Sequence, residues 1–463
     1  MIALDRDLLC EASGFIAERM GLHFPEERWP DLARGLETAG RELGLGDPEA
    51  CASWLRTREL TTRQIEMLAS HLTVGETYFF RDQASFEVLE REILPPLVAR
   101  RSEAGRTVRL WSAGCCTGEE AYSLAITCAR ALPELGEWNV SILATDINPK
   151  FLAKAEAGVY SEWSFRGAPG WLRERYFSPA HDKKFTVDPT VKNLVHFDYL
   201  NLAEDAYPSL HNHTNAMDVI FCRNVLMYFT PGHQRRVAEA LHRCLVDGGC
   251  LLVNPAEASA SLFPMFAMEN VGGTILFRKT SQPTRVESWP GVVSPAPAPA
   301  VPVTEPAFFV APEPPAPVAP VAPAPPITPI MASPRDDLLV LARTHANQGR
   351  LEEALTSCRN AIAADRTDPA AHFLYAAICD ELGRLEEAVA ALGKVLYLEQ
   401  DFVLAHHALG GLYKRLGKQK ESRRHLAVAL DLLSARSRDE LVPESDGMTC
   451  GRLVESVRAM TGA

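Results

Sequence analysis

The chain of 463 residues has no surplus of positive charge, its formal balance being −12. Residues 1–280 carry 29 Lys and Arg against 37 Asp and Glu, and the remainder carries 18 against 22. Neither part has the basic excess that nucleic acid or an anionic membrane surface selects, so neither is an expected partner. No run of 18 apolar residues occurs, so no transmembrane helix is expected. The opening Met1-Ile2-Ala3-Leu4-Asp5-Arg6-Asp7 puts acids where a secretory leader needs an apolar stretch. Cysteine occurs 11 times, scattered apart from Cys115-Cys116, with no CxxC pattern. These read as free thiols in a reducing cytoplasm, with no metal site.

What is present divides into several parts. Hydrophobic residues make up 47% and charged residues 23%, enough for more than one core at this length. Residues 1–75 carry helical periodicity in Leu4, Leu8, Phe15 and Ile16, in Leu32 and Leu36, and in Ile65, Leu68 and Leu72. Arg28, Arg34 and Arg41 fall near the second of these helices and read as a solvated face. Over residues 76–280 short apolar runs (Val108–Trp111, Ile142–Thr145, Val219–Phe221, Leu251–Val253) alternate with helical stretches such as Ala121–Leu132 and Gln234–Leu245. That rhythm predicts an α/β domain with a parallel sheet covered by helices. Phe185–Val187 to Val195–Phe197 reads as a small β insertion, at about 160–200.

Residues 281–334 hold 17 of the 33 prolines. They read as an extended, unpacked linker with a maximal reach on the order of 100 Å. Beyond it, Gln348-Gly349-Arg350-Leu351-Glu352-Glu353-Ala354 recurs as Leu382–Ala388 and again as Leu416–Ser422, the three glycines 34 apart. That period is similar to three tetratricopeptide repeats over 335–433, a helical solenoid that docks proteins or peptides. Residues 434–463 form a tail in which Leu453, Val457 and Met460 fit a capping helix.

The chemistry concentrates in the α/β part. Leu110-Trp111-Ser112-Ala113-Gly114-Cys115-Cys116-Thr117-Gly118-Glu119-Glu120 runs from a strand through a two-glycine turn into a helix. Such a turn, at the carboxyl end of a parallel strand, lets backbone approach a ligand closely. Ile142-Leu143-Ala144-Thr145-Asp146 is a second strand ending in an acid, 28 residues past Gly118. An acid there can accept both hydroxyls of a ribose. Without a pyrophosphate cradle, the pair favours adenosine lacking phosphates, which S-adenosylmethionine provides. A third strand, Asp218–Phe221, leads into Cys222-Arg223-Asn224 and then Tyr228-Phe229. His211 and His213 lie in a polar loop and read as solvated.

Taken in order, Leu72–Arg81, Trp111–Glu120, Ala144–Asn148 and Phe221–Phe229 resemble the chemotaxis receptor methyltransferases, the CheR family. The likeness covers residues 1–280, and some members of the family carry a C-terminal tetratricopeptide module. It implies an all-helical N-terminal domain and a Rossmann-like methyltransferase domain with a β insertion. The implied activity is methyl transfer from S-adenosyl-L-methionine to glutamate side chains of chemoreceptor cytoplasmic regions, releasing S-adenosyl-L-homocysteine. Carried onto this chain, the resemblance makes Thr77 and Arg81 cofactor contacts, with Glu119 accepting from the cofactor amine. Asp146 holds the ribose, Asn201 and Leu202 lie by the adenine, and Arg223 and Asn224 line the other side. Arg81 and Tyr228 fall nearest the reacting centre.

Two departures stand out. Gly75, counted among the cofactor contacts, occupies a position where the family commonly has Asn, which removes one hydrogen bond. Asn254-Pro255-Ala256-Glu257 stands where the family often has His-Ser-Glu, which points to a different acceptor surface. Two other readings remain at this level: a methyltransferase for another acceptor, and a non-catalytic scaffold that binds the cofactor. The expected partners are chemoreceptors or receptor-like proteins, with an unidentified peptide or protein at the repeat groove.

Overall fold

The computed structural model describes residues 5–280 and 334–461, apart from 46, 58–59, 102–105, 133, 205, 439 and 446. The proline-rich linker falls outside the described residues. Four helices open the chain: α1 (Arg6–Met20), α2 (Trp29–Glu42), α3 (Pro48–Thr57) and α4 (Thr62–Leu72). After them, α5 (Gln83–Val88) runs through a π-helical turn into α6 (Leu94–Arg101).

The α/β region follows as β1 (Thr107–Ala113), α7 (Glu119–Ala131), β2 (Asn139–Asp146) and α8 (Pro149–Ala157). A small antiparallel sheet is then built from β3 (Val159–Tyr160), β4 (Phe177–Ala180) and β5 (Lys184–Val187), with α9 (Gly170–Tyr176) ahead of β4. The short α10 (Pro189–Lys192) leads to β6 (Val195–Tyr199), β7 (Met217–Phe221), α11 (Pro231–Cys244), β8 (Leu245–Leu252), β9 (Ala267–Val271) and β10 (Thr274–Arg278).

The main sheet has the order β6-β2-β1-β7-β8-β10-β9. Its first five strands are parallel, whereas β10 and β9 close one edge antiparallel. The sheet is therefore mixed rather than wholly parallel. Val195–Phe197 belongs to this sheet too, paired with β2, and not to the insertion. An edge strand and an inserted strand share the same apolar alternation, so composition alone does not separate them.

Both faces of the sheet are covered, as its continuous apolar strands require. Trp111 and Ala113 of β1 face a core shared with α1–α4, including Ile16, Leu32, Leu36 and Leu68. Val108 and Leu110 point the opposite way, into a core formed with α5–α7 and the small sheet. The two-residue period of β1 thus joins the N-terminal helices to one face and the insertion to the other.

The C-terminal module comprises α12 (Pro334–Asn347), α13 (Leu351–Ala364), α14 (Pro369–Glu381), α15 (Leu385–Leu398), α16 (Val403–Arg415), α17 (Gln419–Ser434) and α18 (Cys450–Thr461). Gly349, Gly383 and Gly417 end the first helix of each pair at φ +73°, a left-handed position that favours glycine. α18 packs on α17 and buries Leu453 and Val457.

The module lies against the α/β domain. Leu210, between β6 and β7, joins the repeat core, and the neighbouring His211 ring stacks on Phe373 of α14 with centroids 5.3 Å apart. Glu381, at the end of α14 and fully buried, lies 3.5 Å from the Arg109 guanidinium of β1. Asn215 Nδ2 donates to its carboxylate at 3.3 Å, and Asn139 Nδ2 to its carbonyl at 3.0 Å. The His211 and His213 side chains are consequently half-buried rather than solvated. Burial among His196, Arg109 and His211 holds the His213 imidazole well below its usual pKa. A loop that is polar in sequence is covered here because a second domain rests on it.

Candidate active site

A cavity of about 240 Å³ opens at the carboxyl ends of β1, β2 and β7. The N-terminal helices roof it through Leu22–Phe24, Arg28 and Leu72–Val74. Its floor is the turn after β1. The Gly114 and Cys115 amides donate to the Thr145 carbonyl at 2.8 and 2.9 Å, tying that turn to β2. Gly114 has φ +84°, and a Cβ there would meet Val225 Cγ2 at 2.4 Å. Glycine is required for both reasons.

Asp146 ends β2 at the cavity wall. Its two carboxylate oxygens accept from the amides of Cys116 (2.8 Å) and Asn148 (2.9 Å). Burial outweighs these bonds and pushes its carboxyl up to about 6. The N-cap of α8 is Asn148, which accepts from Lys150 and Phe151, so Asp146 is not consumed as a helix cap. The Cys116 thiol is pushed up to about 12 by burial and by Asp146, and stays protonated at neutral pH.

On the opposite wall, Arg223 is held almost wholly out of solvent. It donates to the Arg81 carbonyl and to the Asp82 carboxylate, both at 2.7 Å. It also lies 3.7 Å from Glu120. Asp82 is thus taken by Arg223. Arg81 instead donates to the Glu76 carbonyl at 2.6 Å, and among the described residues it pairs with no carboxylate. Arg28 packs over the rings of Phe24 and Tyr228, at 5.1 and 5.5 Å. Arg28, Arg81 and the Tyr228 phenol share with Arg223 the lining of one cavity.

Thr77, Arg81, Asp146, Asn201, Leu202, Arg223, Asn224 and Tyr228 all line this cavity, drawn together from four separate stretches of sequence. Gly75 and Glu119 are not among the lining residues. At Gly75 an added Cβ would stand 2.5 Å from the Phe151 ring, so a lining aromatic fills the space a side chain there would use. Glu119 is buried behind the turn, where it accepts from Thr117 Oγ1 and Ser164 Oγ. Its neighbour Glu120 takes the cavity side and accepts from Ser112 Oγ at 2.7 Å. Burial raises the Glu120 carboxyl against the pull of Arg223.

Sequence reasoning also missed Arg28 and Phe151 as lining residues, and it gave Glu257 no role. That carboxylate is buried and accepts from the amides of Asn224 (2.8 Å), Met227 (3.1 Å) and Asn254 (3.2 Å). It holds Asn224 at φ +60° and so sets the loop that carries Tyr228. A signal was present, since Glu257 coincides with the Glu of the His-Ser-Glu stretch common in the family.

The donor set fits an adenosine-bearing sulfonium. Asp146 and Glu120 offer acceptors to hydroxyl and ammonium groups, and Arg28, Arg81 and Arg223 bring positive charge to the same lining. No helix of the described residues is long and apolar enough to cross a membrane.

Comparison with known proteins agrees with this geometry. Residues 75–271 match the family described as CheR methyltransferase, SAM binding domain. Residues 339–430 match a family described as tetratricopeptide repeat. A probable chemotaxis protein methyltransferase of Rhizobium etli is 38% identical over 221 residues, covering 47% of this chain and 80% of that protein. Chemotaxis protein methyltransferase 1 of Pseudomonas aeruginosa is 34% identical, covering 46% of this chain and 77% of the relative. Chemotaxis protein methyltransferase 2 of Vibrio cholerae is 32% identical over 276 residues, with coverage of 60% and 89%.

Proposed function

Because the chain belongs to the CheR family of S-adenosylmethionine-dependent chemotaxis methyltransferases, we propose that it methylates glutamate side-chain carboxylates of chemoreceptors or receptor-like signalling proteins in the cytoplasm. The observation that supports this acceptor is the pairing of Arg28 and Arg81 with Tyr228 on one cavity. A guanidinium presents forked donors that match a carboxylate.

A glutamate acceptor, with a reference pKa of about 4.3, is already ionised at neutral pH. It needs no general base, which agrees with a cavity whose thiols stay protonated. S-adenosylmethionine would supply the methyl group, its sulfonium sulfur keeping the C–S electron pair and becoming a neutral thioether. The chain's own residues then have to orient and exclude water. In this reading Asp146 accepts from the ribose, Glu120 (in place of Glu119) from the amine, and Asn201 and Leu202 flank the adenine. Arg81 orients the carboxylate, and Tyr228 closes over it. Alignment of this kind contributes about 7–11 kcal/mol in favourable cases. Removing water helps further, because opposite charges cancel as the reaction proceeds.

The repeat module is proposed to help select the protein partner. An acidic enzyme gains no long-range attraction to acidic receptor segments, so local contacts must supply docking. The direct test is to incubate the protein with S-adenosylmethionine tritiated at the methyl group and membranes bearing receptors. Base-labile label in the receptor band is expected. Base-stable label, or label confined to small molecules, would refute the glutamate acceptor.

A further inference from the structure

We propose that Arg452, on the last helix of the C-terminal module, is a positioning residue for the cofactor site: it clamps the 199–204 segment that forms the adenine-side wall. This rests on the reading of the cavity as the S-adenosylmethionine site.

The chain of contacts is short. At the end of the sheet, Tyr199 of β6 stands opposite Asp146 of β2. The peptide unit that follows has two polar ends. Its N–H, on Leu200, donates to the Asp146 carbonyl at 3.2 Å. Its carbonyl, on Tyr199, accepts from Arg452 Nη2 at 3.1 Å. One peptide is thus held from one side by the strand carrying the ribose acid and from the other by the module.

Arg452 reaches one step further. Its Nη1 lies 3.6 Å from Glu204 Oε2, with the Arg452 side chain only 12% exposed. Glu204 in turn accepts from Asn201 Nδ2 at 3.1 Å. The Asn201 side chain also donates to the Arg19 carbonyl at 2.8 Å and accepts from the Ala203 amide at 3.1 Å. Leu200, Asn201 and Leu202 all line the cavity. The guanidinium packs over the Tyr199 ring at 5.6 Å, which fixes its plane for the forked contact.

A second contact points the same way. α18 also packs on α4, whose last residue, Leu72, lines the cavity with Thr73. The module therefore touches two walls of the site while contributing no lining residue itself. Without it, the Tyr199 carbonyl and Glu204 would face water, and the segment between β6 and Leu202 would lose a fixed anchor.

The test uses the full-length chain and titration calorimetry with S-adenosylhomocysteine. Arg452→Ala is expected to weaken binding about 5- to 20-fold, as loss of a charge-assisted contact would. KM for S-adenosylmethionine should rise to match, with kcat little changed. Arg452→Lys retains one donor but not the fork, and its affinity should fall between the two. A purely structural contact would lower the melting temperature and leave affinity at 20 °C untouched. An Arg452→Ala protein with wild-type affinity and KM would overturn the proposal. Should that variant fail to fold, Arg452→Lys decides, and unchanged affinity there overturns it equally. If the wild-type chain itself does not bind S-adenosylhomocysteine, the reading of the cavity fails instead.

Discussion

The Asp146 carboxyl, pushed up to about 6 by burial, titrates just below neutrality. Two backbone amides already use one lone pair on each of its oxygens. In the proposed reading a ribose diol donates to what remains, and the ionised form accepts more strongly. Cofactor affinity should therefore be full above about pH 6 and fall as pH drops through that value, by up to about tenfold per unit. Titrations between pH 5 and 8 check this, and a flat profile would remove Asp146 from the ribose contact. In the proposed mechanism Arg81 acts on the other substrate. Arg81→Ala should lower kcat about 10- to 100-fold, the worth of a charge-assisted pair, with a smaller change in cofactor affinity. Steady-state kinetics on receptor membranes measures both. Asp146 and Arg81 were legible in the sequence because each ends a local pattern, a strand or a motif. The choice between Glu119 and Glu120 was not. Adjacent residues at a helix start point about 100° apart, and Ser164, distant in sequence, is what draws Glu119 away from the cavity.

At the scale of elements, the site depends on the loop between β7 and α11 being held from below. Glu257 does this by accepting, on a buried carboxylate, from the amides of Asn224, Met227 and Asn254. A hydrogen bond to a charged acceptor is worth about 1.5–3 kcal/mol. Glu257→Ala should thus lower the melting temperature and weaken cofactor binding together, as thermal denaturation and titration would show. The strands β1, β2 and β7 and the helices α7 and α11 could be read from periodicity. The placement of β6 in the main sheet could not, because that depends on which strand edge is vacant once β2 has paired with β1. The antiparallel β9 and β10 were likewise hidden, since strand direction leaves no mark on apolar alternation.

Across the whole molecule, the repeat period announced a solenoid, and the proline-rich segment allowed it to sit almost anywhere. It sits on the α/β domain, with Glu381 buried against Arg109. Nothing in the repeat pattern marks Glu381, because its meaning comes from Arg109, Asn139 and Asn215 far away in the chain. Breaking a buried ion pair from one side costs about 3–5 kcal/mol. Glu381→Ala should accordingly loosen the module, and small-angle scattering should record a larger radius of gyration. A particle of unchanged size would mean that the remaining contacts suffice. A partner that engages the Phe373 face of α14 would have to displace His211, so docking of that kind competes with the enzyme's own loop.

The account stands or falls on the cavity holding S-adenosylmethionine against Asp146. Calorimetric titration of S-adenosylhomocysteine into the wild-type chain and into Asp146→Ala measures this most directly. One site per chain in the wild type, and no detectable heat of binding in the variant, is the predicted result. Equal affinity in both proteins would contradict it.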